Sequence, residues 1–122
     1  MATVIHFDIS ADNLERAKIF YQKLFGWKIE KFTESPQDYY LIETQTATGE
    51  KGITGGIALR EKDYQKITNF IQVDSIDESI EKVKELGGQI IELKTTIPTV
   101  GHIAGCKDTE NNIFGLIEVE NK

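Results

Sequence analysis

Cysteine is nearly missing: Cys106 is the one thiol in 122 residues. No intrachain disulfide can form, which excludes a disulfide-stapled secreted scaffold and makes a reducing cytoplasm the expected compartment. Basic charge is also in deficit, with 14 Lys and Arg against 20 Asp and Glu and a formal net charge of -6. A sequence-independent nucleic-acid binder neutralises phosphates with a basic face, so that class is excluded. No apolar run approaches the length that spans a bilayer, and the first ten residues have neither a basic n-region nor an apolar h-region, so no membrane contact and no processing are expected. Glycine-rich phosphate loops, paired Cys-x-x-Cys zinc spacing, a nucleophile elbow, low-complexity runs and Gly/Ser linkers are all missing as well.

What remains is 39% hydrophobic, enough for one compact domain over residues 1–122 and too little for two ordinary ones. Val4 to Ile9 alternates with period 2, placing Ile5, Phe7 and Ile9 on one face and His6, Asp8 and Ser10 on the other, so it reads as a half-buried strand. Asp12 or Asn13 can cap the following helix, Asp12 and Glu15 have capping-box spacing, and Leu14, Ala17, Phe20, Tyr21 and Leu24 recur at helical spacing up to Gly26. Strands follow at Trp27 to Phe32, Asp38 to Thr44 and Ile53 to Leu59, separated by Ser35-Pro36 and by the turn from Thr48 to Gly52.

The second half repeats this βαβββ order. Strand Thr68 to Asp74 leads into helix Ile76 to Leu86, whose apolar stripe is Ile76, Val83 and Leu86 and whose capping box is Ser75 and Glu78. Strands Gln89 to Lys94, Gly101 to Lys107 and Ile113 to Val119 complete it. Gly26 falls on Gly88 at an offset of 62 residues (88 − 26), which also pairs Leu14 with Ile76, Tyr21 with Val83 and Leu24 with Leu86. The predicted fold is α+β: a first module over about 1–60 and a second over about 67–120, forming a curved, cup-shaped mixed sheet with helices on the convex side. Residues 61–67 read as an internal connector.

The opening His6-Phe7-Asp8-Ile9, the series Asp12…Arg16-Ala17…Phe20-Tyr21…Phe25-Gly26-Trp27, the Gly55-Gly56-Ile57 strand and the closing run from Asp108 to Leu116 resemble the vicinal oxygen chelate superfamily. That superfamily includes glyoxalase I, bleomycin-resistance proteins and extradiol dioxygenases. The resemblance implies a homodimer and, in its metal enzymes, a divalent ion held by His and Glu from the first and last strands of each module. His6 occupies the first of these positions. Thr68 occupies its counterpart, Gly115 the last-strand position of the second module, and Ala58, or Gly56 if the register slips by two, that of the first. Glycine and alanine offer no donor atom, a neutral threonine hydroxyl is a poor ligand for a transition metal, and one imidazole does not hold such an ion tightly.

The expected function is therefore a glyoxalase-like small-molecule-binding protein lacking the family metal site. The alternative is an enzyme of the superfamily, a lyase, isomerase or dioxygenase. No cofactor is expected. The candidates for the ligand pocket are His6, Asp8, Tyr40, Ala58, Thr68, His102 and Gly115. His6 and Asp8 share a strand face and could act as a base with its orienting carboxylate. Tyr39 and Tyr40 face opposite sides of their strand, and Tyr40 is taken as the one facing the concavity. His102 and Cys106 share a face, but lie about 13 Å apart along one strand, too far for a nucleophilic pair, so Cys106 reads as a small buried hydrophobe. The charged run from Glu78 to Glu85 reads as the solvated face of its helix, and most of the aromatic residues read as core.

Overall fold

The computed structural model describes residues 2–34 and 37–120; Ser35-Pro36, expected to separate two strands, lies outside them. The chain is α+β, and the βαβββ order occurs twice: β1 (Thr3–Ala11), α1 (Leu14–Phe25), β2 (Lys28–Lys31), β3 (Tyr39–Glu43), β4 (Thr54–Leu59), then β5 (Ile67–Gln72), α2 (Ile76–Glu85), β6 (Gln89–Ile97), β7 (Gly101–Lys107) and β8 (Ile113–Val119). Two compact units divide it, one spanning His6–Thr68 and the other running from Asn69 onwards together with the residues before His6.

In the first unit the strand order is β2-β3-β4-β1, with β1 parallel to β4 and β3 antiparallel to both β2 and β4. Alternation along β1 gives the sheet two different faces. Ile9 and Ala11 pack with Ile29, Ile42 and Ile57, and Phe7, Leu14, Ala17, Tyr21, Trp27 and Tyr40 lean on them. Each fully buried isoleucine contributes roughly 1.5–3 kcal/mol. The Trp27 ring lies within 5.4 Å of Tyr21 and 5.8 Å of Phe7, which fixes it as core. The even residues His6, Asp8 and Ser10 point away from α1.

Asn13, not Asp12, caps α1, accepting from the Arg16 backbone N–H at 2.9 Å. Asp12 instead pairs with Arg60 Nε at 2.9 Å. The Arg60 guanidinium also donates to the Gln65 and Ser10 carbonyls, and Ser10 N–H donates to Lys66 O. These bonds tie the connector back onto the end of β1. Helical spacing overstated the buried stripe of α1: Phe20 and Leu24 are 58% and 57% exposed, because the sheet beneath is reached by Leu14, Ala17 and Tyr21.

In the second unit the order is β5-β8-β7-β6, with β5 parallel to β8 and the rest antiparallel. Ile76, Ala104, Cys106 and Leu116 form its core under α2, with Val73, Ile80, Val83, Ile90 and Phe114 against them. Leu86, expected in the stripe, is 76% exposed. Ser75 Oγ accepts from Glu78 N–H at 3.2 Å, which caps the helix start. At the other end α2 stops one residue before the repeat predicts, and the left-handed residue is Gly87 (φ +95), not Gly88. Gly88 is required for a different reason: a Cβ there would lie 2.8 Å from Lys107 O.

Cys106 is fully buried, and burial pushes its thiol up to about 11. The thiolate is the reactive form, so Ellman's reagent is expected to find no thiol in the native protein and the full complement after denaturation. Rapid labelling of the native chain would contradict this placement.

Candidate functional site

The face of the first unit turned away from α1 brings four polar side chains together. His6 and Asp8 come from β1, Thr54 from the start of β4 and Tyr39 from the start of β3. Parallel pairing sets His6 opposite Thr54 and Asp8 opposite Gly56. His6 Nδ1 lies 2.9 Å from Thr54 Oγ1, and Nε2 lies 2.7 Å from the Tyr39 hydroxyl and 3.1 Å from Asp8 Oδ1. The Tyr39 hydroxyl donates to Asp8 Oδ1 at 2.5 Å.

The hydrogen-bond network assigns the proton positions. A phenol has one hydrogen, and Tyr39 gives it to Asp8, so its oxygen can only accept from His6. An unprotonated Nε2 would set a lone pair against Asp8 Oδ1 as well. Nε2 therefore carries a proton, shared between the phenol oxygen and the carboxylate, and Nδ1 is left to Thr54. Burial, then the charge of Asp8, then the hydrogen bond to it, push the Tyr39 phenol far above the ordinary tyrosine value. It is a fixed donor and no base. The Phe32 ring stands edge-to-face against Tyr39 at 6.2 Å.

Gly56 is what admits the phenol. A Cβ at Gly56 would lie 1.7 Å from the Tyr39 hydroxyl oxygen. In the second unit Phe70, 62 residues after Asp8, pairs with Gly115, as Asp8 pairs with Gly56. The two-residue slip is thus the register adopted: Gly56, not Ala58, is the counterpart of Gly115. A Cβ at Gly115 would lie 2.3 Å from the Phe70 ring. Both last-strand positions are glycine because an aromatic ring from a neighbouring strand fills the space.

The other candidates scatter. Tyr40 faces the helix side, donating to Glu15 Oε2 at 2.9 Å with Lys18 over its ring, so Tyr39 takes the place expected of it. Ala58 pairs with Ser10 and Tyr39, two residues beyond the cluster. Thr68 is half-buried in β5. His102 alternates in phase with Ala104 and Cys106, which pack under α2, so it lies on the helix side and not on the face of Gly115. It bonds Thr96 Oγ1 at 2.7 Å and lines a small cleft with Ile97, Pro98, Glu118 and Glu120. Thr54 was missed because only the β1–β4 register reveals it.

The positions at which the resemblance implies metal ligands carry one imidazole already bonded through both nitrogens, two glycines and a threonine. That donor set does not fit a tightly held transition metal. Among the described residues no group of three His, Cys, Asp or Glu side chains is placed to hold a metal ion.

Comparison with known proteins adds a family. Residues 3–116 match the model of the Glyoxalase/Bleomycin resistance protein/Dioxygenase superfamily. A glyoxylase-like domain-containing protein of Didymella fabae is 30% identical over 112 residues, which is 89% of this chain and 88% of the relative. A fosfomycin resistance protein of Listeria innocua is 25% identical over 117 residues, 91% and 85% of the two chains. Among solved structures, a methylmalonyl-CoA epimerase of Streptomyces coelicolor superposes with a TM-score of 0.70 over 98% of both chains at 11% identity. A hypothetical protein of Bacillus halodurans does so at 0.68 over 99% and 96%, with 19% identity. The fold is thus the α+β glyoxalase type.

Proposed function

The chain belongs to the glyoxalase/bleomycin resistance protein/dioxygenase superfamily, and from that premise we propose that it is a glyoxalase-like small-molecule-binding protein that holds its ligand without a divalent metal. One observation carries this reading. The Tyr39 phenol fills the space over Gly56 and draws His6 and Asp8 into hydrogen bonds with it, where a metal enzyme of the resemblance needs open donor atoms. A homodimer in the cytoplasm belongs to the same proposal, and sedimentation velocity tests the dimer.

Elemental analysis of protein purified without chelator is the direct test. Expected is far less than one divalent ion per chain, together with saturable binding of some small-molecule class at micromolar levels. One tightly held ion per chain surviving dialysis, or no saturable ligand in a broad screen, would overturn the proposal.

The His6–Asp8 contact at 3.1 Å favours a second reading. A proton-carrying Nε2 oriented by a carboxylate leaves Nδ1 as the nitrogen able to take a proton, through or beside Thr54. The protein would then be a metal-free isomerase or lyase. Turnover abolished in His6→Gln while ligand affinity persists would favour this enzyme over the binding protein.

A further inference from the structure

The polar cluster on the first unit is unusual in which way its protons point. The Tyr39 hydroxyl hydrogen goes to Asp8 Oδ1, the His6 Nε2 hydrogen goes to the same two groups, and His6 Nδ1 and Thr54 Oγ1 engage each other. The Tyr39 donation is directed into the cluster, onto Asp8. Both hydrogen bonds to Asp8 fall on Oδ1, and among the described residues none reaches Oδ2. A carboxylate accepts about four hydrogen bonds, and this side chain is 25% exposed. The ion pairs of Lys28, Lys31 and Arg60 go to Glu30, Glu43, Asp38 and Asp12, not to Asp8. Beside this acceptor stands the Tyr39 ring, and the half-buried Phe32 ring packs edge-to-face against Tyr39.

We propose that this cluster binds a cationic N–H donor carried on a flat apolar group, such as an aryl amidine, with Asp8 Oδ2 as acceptor and the Tyr39–Phe32 pair as apolar wall. The inference rests on the small-molecule-binding reading and names the ligand class for it. An anionic ligand is disfavoured, since it would meet the like charge of the Asp8 carboxylate, and the Tyr39 hydroxyl cannot donate to it without abandoning Asp8. A cation beside a partly desolvated carboxylate gains a charge-assisted hydrogen bond, and the ring faces add attraction for positive charge.

Benzamidine, benzamide and benzoate share one shape and differ in charge. Titrated into the full chain and followed by amide chemical shifts, benzamidine is expected to give saturable changes centred on β1 and β3, with affinity about tenfold or more above the other two, the range of one hydrogen bond to a charged group. Asp8→Asn keeps an oxygen for Tyr39 and His6 and should erase the preference for benzamidine. Phe32→Leu should weaken benzamidine while leaving the ranking of the three unchanged, and with the wild-type ranking it carries the test if Asp8→Asn does not fold. Equal affinities, no binding of benzamidine, or full binding by Asp8→Asn would each overturn the inference. Saturable binding of uncharged or anionic compounds elsewhere in a wider screen would then leave the binding reading standing, whereas no binding of any class would sink both.

Discussion

Gly56→Ala is expected to lower the unfolding free energy by about 1–3 kcal/mol, the usual cost of an overpacked site. The sign is informative. Alanine in a strand interior ordinarily stabilises by roughly 0.5–1 kcal/mol relative to glycine. Here the new methyl group would sit 1.7 Å from the Tyr39 hydroxyl oxygen and 2.1 Å from the ring carbon bearing it. The phenol must swing away, and as it leaves, Asp8 Oδ1 loses its shortest hydrogen bond and His6 Nε2 loses one of its two acceptors. A double-mutant cycle in urea isolates the cause. In a Tyr39→Ala background the same Gly56→Ala change should be neutral or stabilising, giving a coupling within the range of about 0.5–3 kcal/mol seen for touching residues. Additive effects, or a stabilised single mutant, would mean that Gly56 is not glycine on account of the phenol. Gly115→Ala should be less forgiving, because it meets the body of the Phe70 ring and not the end of a side chain.

The two glycines also mark how far the sequence reaches. Element order was legible because alternation, caps and glycine stops agree at each boundary: β1, both helices and β7 and β8 fall within two residues of their predicted limits. The positions to which the resemblance assigns ligand groups were legible as positions, since an offset of 62 carries Asp8 onto Phe70 and the two strand pairings agree. What stayed hidden depends on pairing between distant strands. Leu41 and Ile42 are both apolar, so alternation separated Tyr39 from Tyr40 without saying which faces α1; the buried Ile42 decides it, two residues from Tyr40. Thr54 joins His6 only through the parallel register of β1 and β4. His102 stands among the pocket candidates, yet its phase with Ala104 and Cys106 sends it to the helix side. The missing donors at Gly56 and Gly115 were visible in the sequence; the rings that replace them were not.

Alkaline pH should find Tyr39 before it finds the rest of the chain. The phenol holds its proton more tightly when folded, first because it is buried and then because Asp8 lies beside it. Below the unfolded tyrosine value near 10 both states carry the proton and the contribution is constant. Above it the unfolded chain releases a proton that the folded chain keeps. The unfolded state then binds fewer protons, so stability falls as pH rises, by roughly 1.4 kcal/mol per pH unit for one such group. That slope persists towards the folded value, which lies far above the ordinary tyrosine value, so the decline is expected to end in unfolding. Tyr39→Phe should begin less stable at neutral pH, having lost the bonds to Asp8 and His6, and should then lose stability less steeply above pH 10. Tyr40→Phe is the control: its phenol is raised chiefly by an exposed hydrogen bond to Glu15, then by slight burial and the charges of Glu15 and Asp38, and in that solvent-screened setting its removal should change the slope far less than Tyr39→Phe. Tyrosinate absorbance reads the same event directly. Of the 4 tyrosines, Tyr39 should stay silent through the native titration and ionise abruptly at unfolding. A native protein in which all of them titrate together near 10 would show that the phenol is not locked to Asp8, and would remove the reason for assigning the Nε2 proton to His6.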